Sequence, residues 1–249
     1  MVAVDNLSLQ LYTVRYKLEE DFDATLARIA EIGFTKVEPF GIPGNADRLA
    51  DALPKHGLSA PTTHAGLLKG EAAAIYEAAT KLGIGTVIDP HVDPARWLSA
   101  DDIKATAEAL NQASVEAAEH GITVGYHNHQ FEFENKIDGA HPLEIFVDHL
   151  NDDVILEVDT YWGVVGGGDI PALLKKWGNR VQAIHVKDGD GTLNNKAQTA
   201  VGDGTIAIAD ILAAAPQALR VVELDDFSGE IFDAVEGSFK FLTGEGAPA

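Results

Sequence analysis

Short runs of β-branched and aliphatic residues alternate along this chain with longer stretches whose apolar positions recur every three or four residues. The first pattern belongs to strands and the second to helices with one buried face. Ser8 to Tyr12 reads as a strand, and Asp21 to Ile32 as a helix with Phe22, Leu26, Ile29 and Ala30 on one side. Lys36 to Phe40 pairs with a helix over Ala46 to His56, Ser59 to His64 with Glu71 to Leu82, and Thr86 to Asp89 with Asp101 to His120. The second half repeats the scheme. Thr123 to His127 precedes helix His141 to Leu150, Val154 to Asp159 precedes Ile170 to Trp177, Val181 to Lys187 precedes Ile208 to Ala215, and Val221 to Leu224 precedes Ile231 to Leu242. Strands that alternate with helices pair in parallel through right-handed crossovers, and eight such units close into a (β/α)₈ TIM barrel. The expected fold is therefore α/β, one domain over 1–249 with a short flexible tail at 244–249.

The connections support that reading. Gly33, Gly57, Gly83 and Gly121 each close a helix two or three residues before the next strand, the compact αβ turn of such folds. Ser99 is placed to cap the long fourth helix. The loops that follow the strands are longer and more polar, and 189–205 is the longest. In a barrel those loops and the strand ends before them build the active site.

Composition narrows the partners rather than the fold. The net charge of −21 repels phosphate backbones and anionic membranes, so a nucleic-acid or membrane partner is not expected. With no cysteine, any metal must be held by His, Asp and Glu. The N-terminus shows no export signal and no apolar run approaches the ~20 residues of a membrane span, so a cytoplasmic location is expected.

The strand ends concentrate chemistry. In order they deliver Gln10, Glu38, His64, Asp89, His127-Asn-His129, Glu157-Val-Asp159, His185-Val-Lys187 and Glu223-Leu-Asp225. Carboxylates gathered in one buried place need a cation to compensate them. Asp159, His185 and Glu223 would give a mixed oxygen and nitrogen set suited to Mn²⁺, Mg²⁺, Co²⁺ or Zn²⁺. Glu157, two residues before Asp159, fits a structural partner better than a ligand. His127 and His129 also share a face. Lys187, facing the same lumen, is expected to have a lowered pKa and to act as acid, base or oxyanion stabiliser. Gln10, Glu38 and His64 are candidates for substrate contact, and Trp162 for stacking on a sugar ring. His91, His120, His141 and His149 read as loop or surface residues. Val201-Gly-Asp-Gly204 and Gly166-Gly-Gly168 lack the spacing of a phosphate-binding loop.

Leu9-Gln-Leu-Tyr-Thr-Val-Arg15, Tyr126-His-Asn-His129 followed by Phe131-Glu-Phe133, Glu157-Val-Asp159, His185-Val-Lys-Asp188, Val201-Gly-Asp-Gly204 and Val222-Glu223 together resemble the sugar phosphate isomerase/epimerase family of xylose isomerase-like barrels. The resemblance runs from the first strand to the last. It implies a Glu/Asp/His/Glu divalent-metal centre, Mn²⁺ being the favoured ion, in which Asp159, His185 and Glu223 match the last three ligands. The first ligand is either Glu132 from the loop after strand five, which is favoured, or His127 at the strand end. The implied activity is metal-dependent isomerisation or epimerisation of a sugar, keto-sugar or related polyol through an enediolate. Glu223, Lys187, His127 and His129 are the implied catalytic groups. His127 in place of a glutamate instead suits a lyase of the inosose dehydratase or 3-keto-glycoside type. A non-catalytic sugar-binding subunit is the alternative from another class. The abasic-site endonuclease branch would need a trinuclear His-rich site and a basic groove, and the sequence offers neither. Homo-oligomers are common in such families, but no residue pattern here specifies one.

Overall fold

The computed structural model describes residues 1–245, so most of the expected tail at 244–249 lies outside the described residues. Eight parallel strands carry the architecture: β1 (Leu7–Gln10), β2 (Val37–Glu38), β3 (Thr62–His64), β4 (Thr86–Asp89), β5 (Thr123–His127), β6 (Ile155–Asp159), β7 (Val181–Val186) and β8 (Leu219–Val222). Their order around the sheet is β2-β1-β8-β7-β6-β5-β4-β3. The barrel is nearly closed. Between β2 and β3 the seam is carried by isolated parallel bridges, Lys36 with Ser59 and Phe40 with His64. The Val37 and His64 amides donate across it to the Ser59 and Pro39 carbonyls, each at 2.9 Å.

Helices lie on the outside of this sheet, as the periodicity predicts, and their limits follow local chemistry. Helix Phe22–Ile32 is capped by the Asp21 carboxylate, and Ala100–Ala118 by the Ser99 hydroxyl. Helix Ile42–Lys55 begins earlier than expected because Pro43 sits in its first turn, where a missing N–H costs nothing. Strand β1 ends at Gln10 rather than Tyr12. The Gln10 side chain accepts from the Tyr12 amide and turns the chain into a 3₁₀ segment, Leu11–Val14, and a short helix, Arg15–Glu20. Two further short helices, Phe131–Glu134 and Thr160–Val165, follow β5 and β6, and the long loop after β7 contains an antiparallel pair, Asp188–Gly189 with Gln198–Thr199. These lie within loops and have too few periodic positions to announce themselves.

The core has two parts. Leu26, Ile29, Phe34, Leu110, Phe146 and Val235 are among the buried residues filling the layer between sheet and helices. Inside the barrel the floor is apolar and the upper end polar. Gly125 shows why: a Cβ there would lie 2.7 Å from Ile155 Cδ1, so the strand must be bare for its neighbour's side chain to fill the lumen. Two residues further along each strand, His127 and Glu157 occupy the corresponding positions. His141 departs from expectation. It is buried, with Nδ1 2.7 Å from the Phe133 carbonyl oxygen, because it caps helix Pro142–His149 from the inner side of a loop. Among the described residues no helix is long and apolar enough to cross a membrane.

Candidate active site

Parallel pairing brings the strand ends to one level, with one register shift between β6 and β7 at Leu156/Glu157. Asp159 pairs with His185, His185 with Val221, and His127 with Glu157. The side chains of β5 to β8 therefore converge. His185 Nδ1 lies 2.6 Å from Glu223 Oε2, and His127 Nε2 lies 3.6 Å from Asp159 Oδ2. Lys187 Nζ stands 2.8 Å from Asp159 Oδ2, 2.7 Å from Glu223 Oε2 and 2.9 Å from Asp225 Oδ2. One donor atom each from His127, Asp159, His185 and Glu223 can be chosen so that all four lie within 4.8 Å of one another.

Asp159 illustrates how the fold aims a ligand. Its Oδ1 accepts from the Trp162 amide at 2.9 Å, capping helix Thr160–Val165 and fixing the carboxylate plane. Its Oδ2 is buried and makes no well-directed hydrogen bond, although the Lys187 ammonium is near. An orphaned, buried carboxylate oxygen facing two imidazoles and a second carboxylate is what a divalent cation requires, and two nitrogens with two oxygens suit Zn²⁺, Co²⁺ or Mn²⁺. These residues fit a metal.

The electrostatics follow from burial among opposite charges. Burial pushes Asp159 up to about 6, more than nearby Lys187 lowers it. Burial also keeps His127 neutral, well below the usual imidazole value, and holds His129 down at about 3, with Lys187 adding to the effect. For His185 burial works against the charge, but Glu157 and Glu223 outweigh it and hold the imidazolium well above its ordinary value. A metal taking His185 as ligand must displace that proton, so binding strengthens with pH. Lys187 corrects the sequence expectation. Burial alone would lower its pKa, yet Asp159, Asp225 and Glu223 surround it and raise it well above normal. Among these three carboxylates it is held as an ammonium.

The other expected residues divide. His64, His127, His129 and Glu223 line a cavity of about 560 Å³ at this end of the barrel, with Tyr12 and Phe40 at its wall. Gln10 and Glu38 lie beneath it, fully buried, Gln10 Nε2 donating to Glu38 Oε1 at 2.7 Å. Trp162 is also buried, its ring packed 5.6 Å from Lys187 Nζ and away from the cavity wall. Glu132 stands outside the donor cluster. Its Oε1 accepts from the Tyr126 hydroxyl at 2.7 Å and its Oε2 from the His129 amide at 2.8 Å, and burial raises it to about 8. Of the two expected candidates for the fourth donor, His127 is the one that stands within 4.8 Å of the other three. Asp225 is expected only as a strand-end residue without a role, and Gln198 is not expected at all. Gln198 Nε2 donates to Asp225 Oδ2 at 2.8 Å, steadying the carboxylate that meets Lys187. The spacing of Glu223 and Asp225 could have revealed the latter, whereas Gln198 comes from a loop with no periodic signal.

Known proteins share this architecture. Residues 26–219 match the family model of the xylose isomerase-like TIM barrel. A stretch of 102 residues is 31 % identical to an inosose dehydratase from Erwinia tasmaniensis, covering 40 % of this chain and 31 % of that one, so the match spans about a third of the curated relative's length. A crystal structure of a sugar phosphate isomerase/epimerase from Parabacteroides distasonis superposes with a TM-score of 0.81 at 24 % identity, over 96 % of this chain and 94 % of that one. The IOLI protein, whose structure carries a bound zinc atom, superposes with a TM-score of 0.75 at 18 % identity, over 95 % and 96 % of the two chains. With the family model spanning well over half its length, the chain belongs to the xylose isomerase-like TIM-barrel family.

Proposed function

We propose that the protein is a divalent-metal-dependent isomerase or epimerase that removes a proton beside the carbonyl of a keto-sugar or related polyol. The observation that carries this reading is the convergence of His127, Asp159, His185 and Glu223 within 4.8 Å, with His127 and Glu223 lining a cavity. A divalent cation held by these four would polarise the substrate carbonyl and lower the cost of the negative charge that develops when the proton leaves. Glu223 is the base. It lines the cavity, and although burial opposes its charge, Lys187 and His185 keep it ionised well below the usual carboxylate range. His129, neutral and on the same wall, can hydrogen-bond a substrate hydroxyl there. Lys187 holds its charge beside Asp159 and Glu223 and orients both.

Lys69 is the one lysine or arginine among the residues lining the cavity, and the chain carries −21 charges overall. An uncharged carbohydrate fits that wall better than a phosphorylated one. A specific observation also favours a second outcome for the same first step. With His127 rather than a glutamate as fourth donor, the site lacks two opposed carboxylates for symmetric epimerisation. Dehydration needs only one base: the carbon's proton passes to Glu223, the neighbouring C–O bond breaks, and the leaving hydroxide takes up the proton that Glu223 has just removed and departs as water. The similarity to inosose dehydratase supports this variant.

Metal analysis of the purified protein, followed by solvent-deuterium incorporation into ketoses, inososes and 3-keto-glycosides with Mn²⁺ present, tests the reading. Expected are about one ion per chain and deuterium entering beside a carbonyl, with product mass separating epimerisation from loss of water. Sugar binding without metal or exchange would instead establish a non-catalytic subunit.

A further inference from the structure

The four donors used above do not exhaust the lumen. Glu157 precedes Asp159 by two residues on the same strand face, about 6.6 Å nearer the middle of the barrel. It is fully buried, as is its neighbour Glu38. Around Glu157 Oε2 stand three imidazole nitrogens: His64 Nε2 at 2.6 Å, His185 Nε2 at 3.1 Å and His127 Nδ1 at 3.4 Å. One donor atom each from His64, His127, Glu157 and His185 again falls within 4.8 Å of the rest. Glu38 Oε1 adds an oxygen, 2.9 Å from His185 Nε2 and 3.2 Å from His64 Nε2. Two atoms of this group, His127 Nδ1 and Glu157 Oε1, are buried without a hydrogen-bond partner. A buried polar atom left unpaired is costly, and both of these belong to side chains of the same four-donor cluster, which asks for a ligand.

We propose a second cation position, deeper in the lumen, formed by His64, His127, Glu157 and His185. It is richer in nitrogen than the cavity-facing set, three imidazoles to one carboxylate against two and two. Ions that prefer imidazole, Zn²⁺ and Co²⁺ foremost, select it, and Mg²⁺ and Mn²⁺ do not.

The two positions are linked through shared rings. His127 turns Nε2 toward Asp159 and Nδ1 toward Glu157, and His185 turns Nδ1 toward Glu223 and Nε2 toward Glu157. A neutral imidazole has one free lone pair, so each ring serves one position at a time. An ion in the deep position therefore withdraws two of the four cavity-facing donors, and zinc in excess displaces the working ion from the cavity. The deep position itself stands on the geometry alone, whereas this inhibitory consequence rests on the function proposed above.

The test starts from an Asp159→Asn/Glu223→Gln variant, in which the cavity-facing set is dismantled, and titrates it calorimetrically with zinc chloride. One Zn²⁺ per chain is expected, and adding Glu157→Gln weakens that binding at least about tenfold. A folded double variant, checked by circular dichroism, that takes up no zinc overturns the proposal. Because the variant leaves Lys187 with fewer partners and folding could fail, wild-type crystals soaked separately in Zn²⁺ and Mn²⁺ give a second readout by anomalous diffraction. A zinc peak beside Glu157 and His64 supports the deep position, and zinc and manganese both beside Asp159 and Glu223 refute it. Absence of deuterium exchange with Mn²⁺ would sink the proposed enzyme activity while leaving either peak position informative.

Discussion

Asp89 ends β4 and Asp159 ends β6, with β5 between them, and both are fully buried. Their surroundings differ. Asp89 gives both carboxylate oxygens to backbone amides, Oδ2 to Leu68 at 3.0 Å and Oδ1 to His91 at 3.2 Å, and so ties the loops after β3 and β4. Asp159 gives one oxygen to the Trp162 amide and keeps the other directed at His127 and Lys187. The contrast extends along the rim. The β5–β8 side supplies side chains that face one another, and the β1–β4 side supplies mostly the cavity's walls, Tyr12, Phe40 and Lys69 among them. A buried carboxylate becomes part of a reactive centre when one of its oxygens is left over after the backbone has been satisfied.

Exchanging the two aspartates in turn puts that contrast at risk. Asp159→Asn is expected to lower turnover at least about a thousandfold and to weaken metal binding in parallel, because it removes a ligand charge at the reacting centre. Asp89→Asn should leave turnover within about tenfold and show instead as a loss of stability on the order of 1 kcal/mol, from a weakened pair of backbone hydrogen bonds. Steady-state rates and metal stoichiometry on both variants decide it. Equal losses would mean that the two sides of the rim share the chemistry.

Lys187 offers the next largest effect. It is 1 % exposed and stands among Asp159, Glu223 and Asp225, so Lys187→Met leaves three carboxylates without their cation. Removing one partner from such a buried group costs about 3–5 kcal/mol. The Tm of the variant in EDTA should fall accordingly, and Mn²⁺ should recover much of the loss by supplying the missing charge. An unchanged Tm in EDTA would show that the ammonium does not compensate the cluster.

The fold was legible because its signals are periodic. Eight alternations of strand and helix survive in the structure, with β4, β5 and helix Ile170–Trp177 at their expected limits. The strand-end residues were legible as a set for the same reason, since parallel pairing lifts them to one level, although a register shift at Leu156/Glu157 sets which residue of β7 meets Asp159. Which oxygen or nitrogen faces which neighbour was not. From the sequence Glu132 is favoured over His127 as fourth donor. The packing of Glu132 under the Tyr126 hydroxyl and the His129 amide separates them in this geometry. The pKa of Lys187 failed to follow from burial because three carboxylates from β6, β8 and the segment after it meet there, a coincidence of tertiary structure. Trp162 follows Asp159 in sequence, but the helix that Asp159 caps rotates it into the core.

Glu132 gives a smaller effect with a definite sign. Buried, it holds its proton up to about pH 8, whereas the unfolded chain releases that proton in the ordinary carboxylate range. The folded state thus binds the extra proton between those values, and stability falls as pH rises through that window and levels off above it. Glu132→Gln keeps a neutral side chain of the same shape and removes this slope. The Tm advantage of the variant over the parent should therefore grow steadily from about pH 5 to about pH 8 and then stay constant. Parallel curves would mean that Glu132 is ionised in the folded protein, and would bring it back into contention as a metal ligand.

The smallest effect belongs to the wall. Tyr12 is 41 % exposed and meets Phe40 edge to face at 5.4 Å, where the loops after β1 and β2 border the cavity. It touches none of the four donors proposed to hold the metal, so its part in the reaction is confined to holding the substrate. Aromatic contacts of this kind contribute about 0.5–1.5 kcal/mol beyond area, which is roughly two- to tenfold in binding. Tyr12→Ala should raise KM by that factor and leave kcat unchanged, since a contact made equally in ground and transition states does not alter the chemical step. A fall in kcat with KM constant would place Tyr12 among the groups that act on the transition state, and the division between a reactive side and a shaping side would no longer hold.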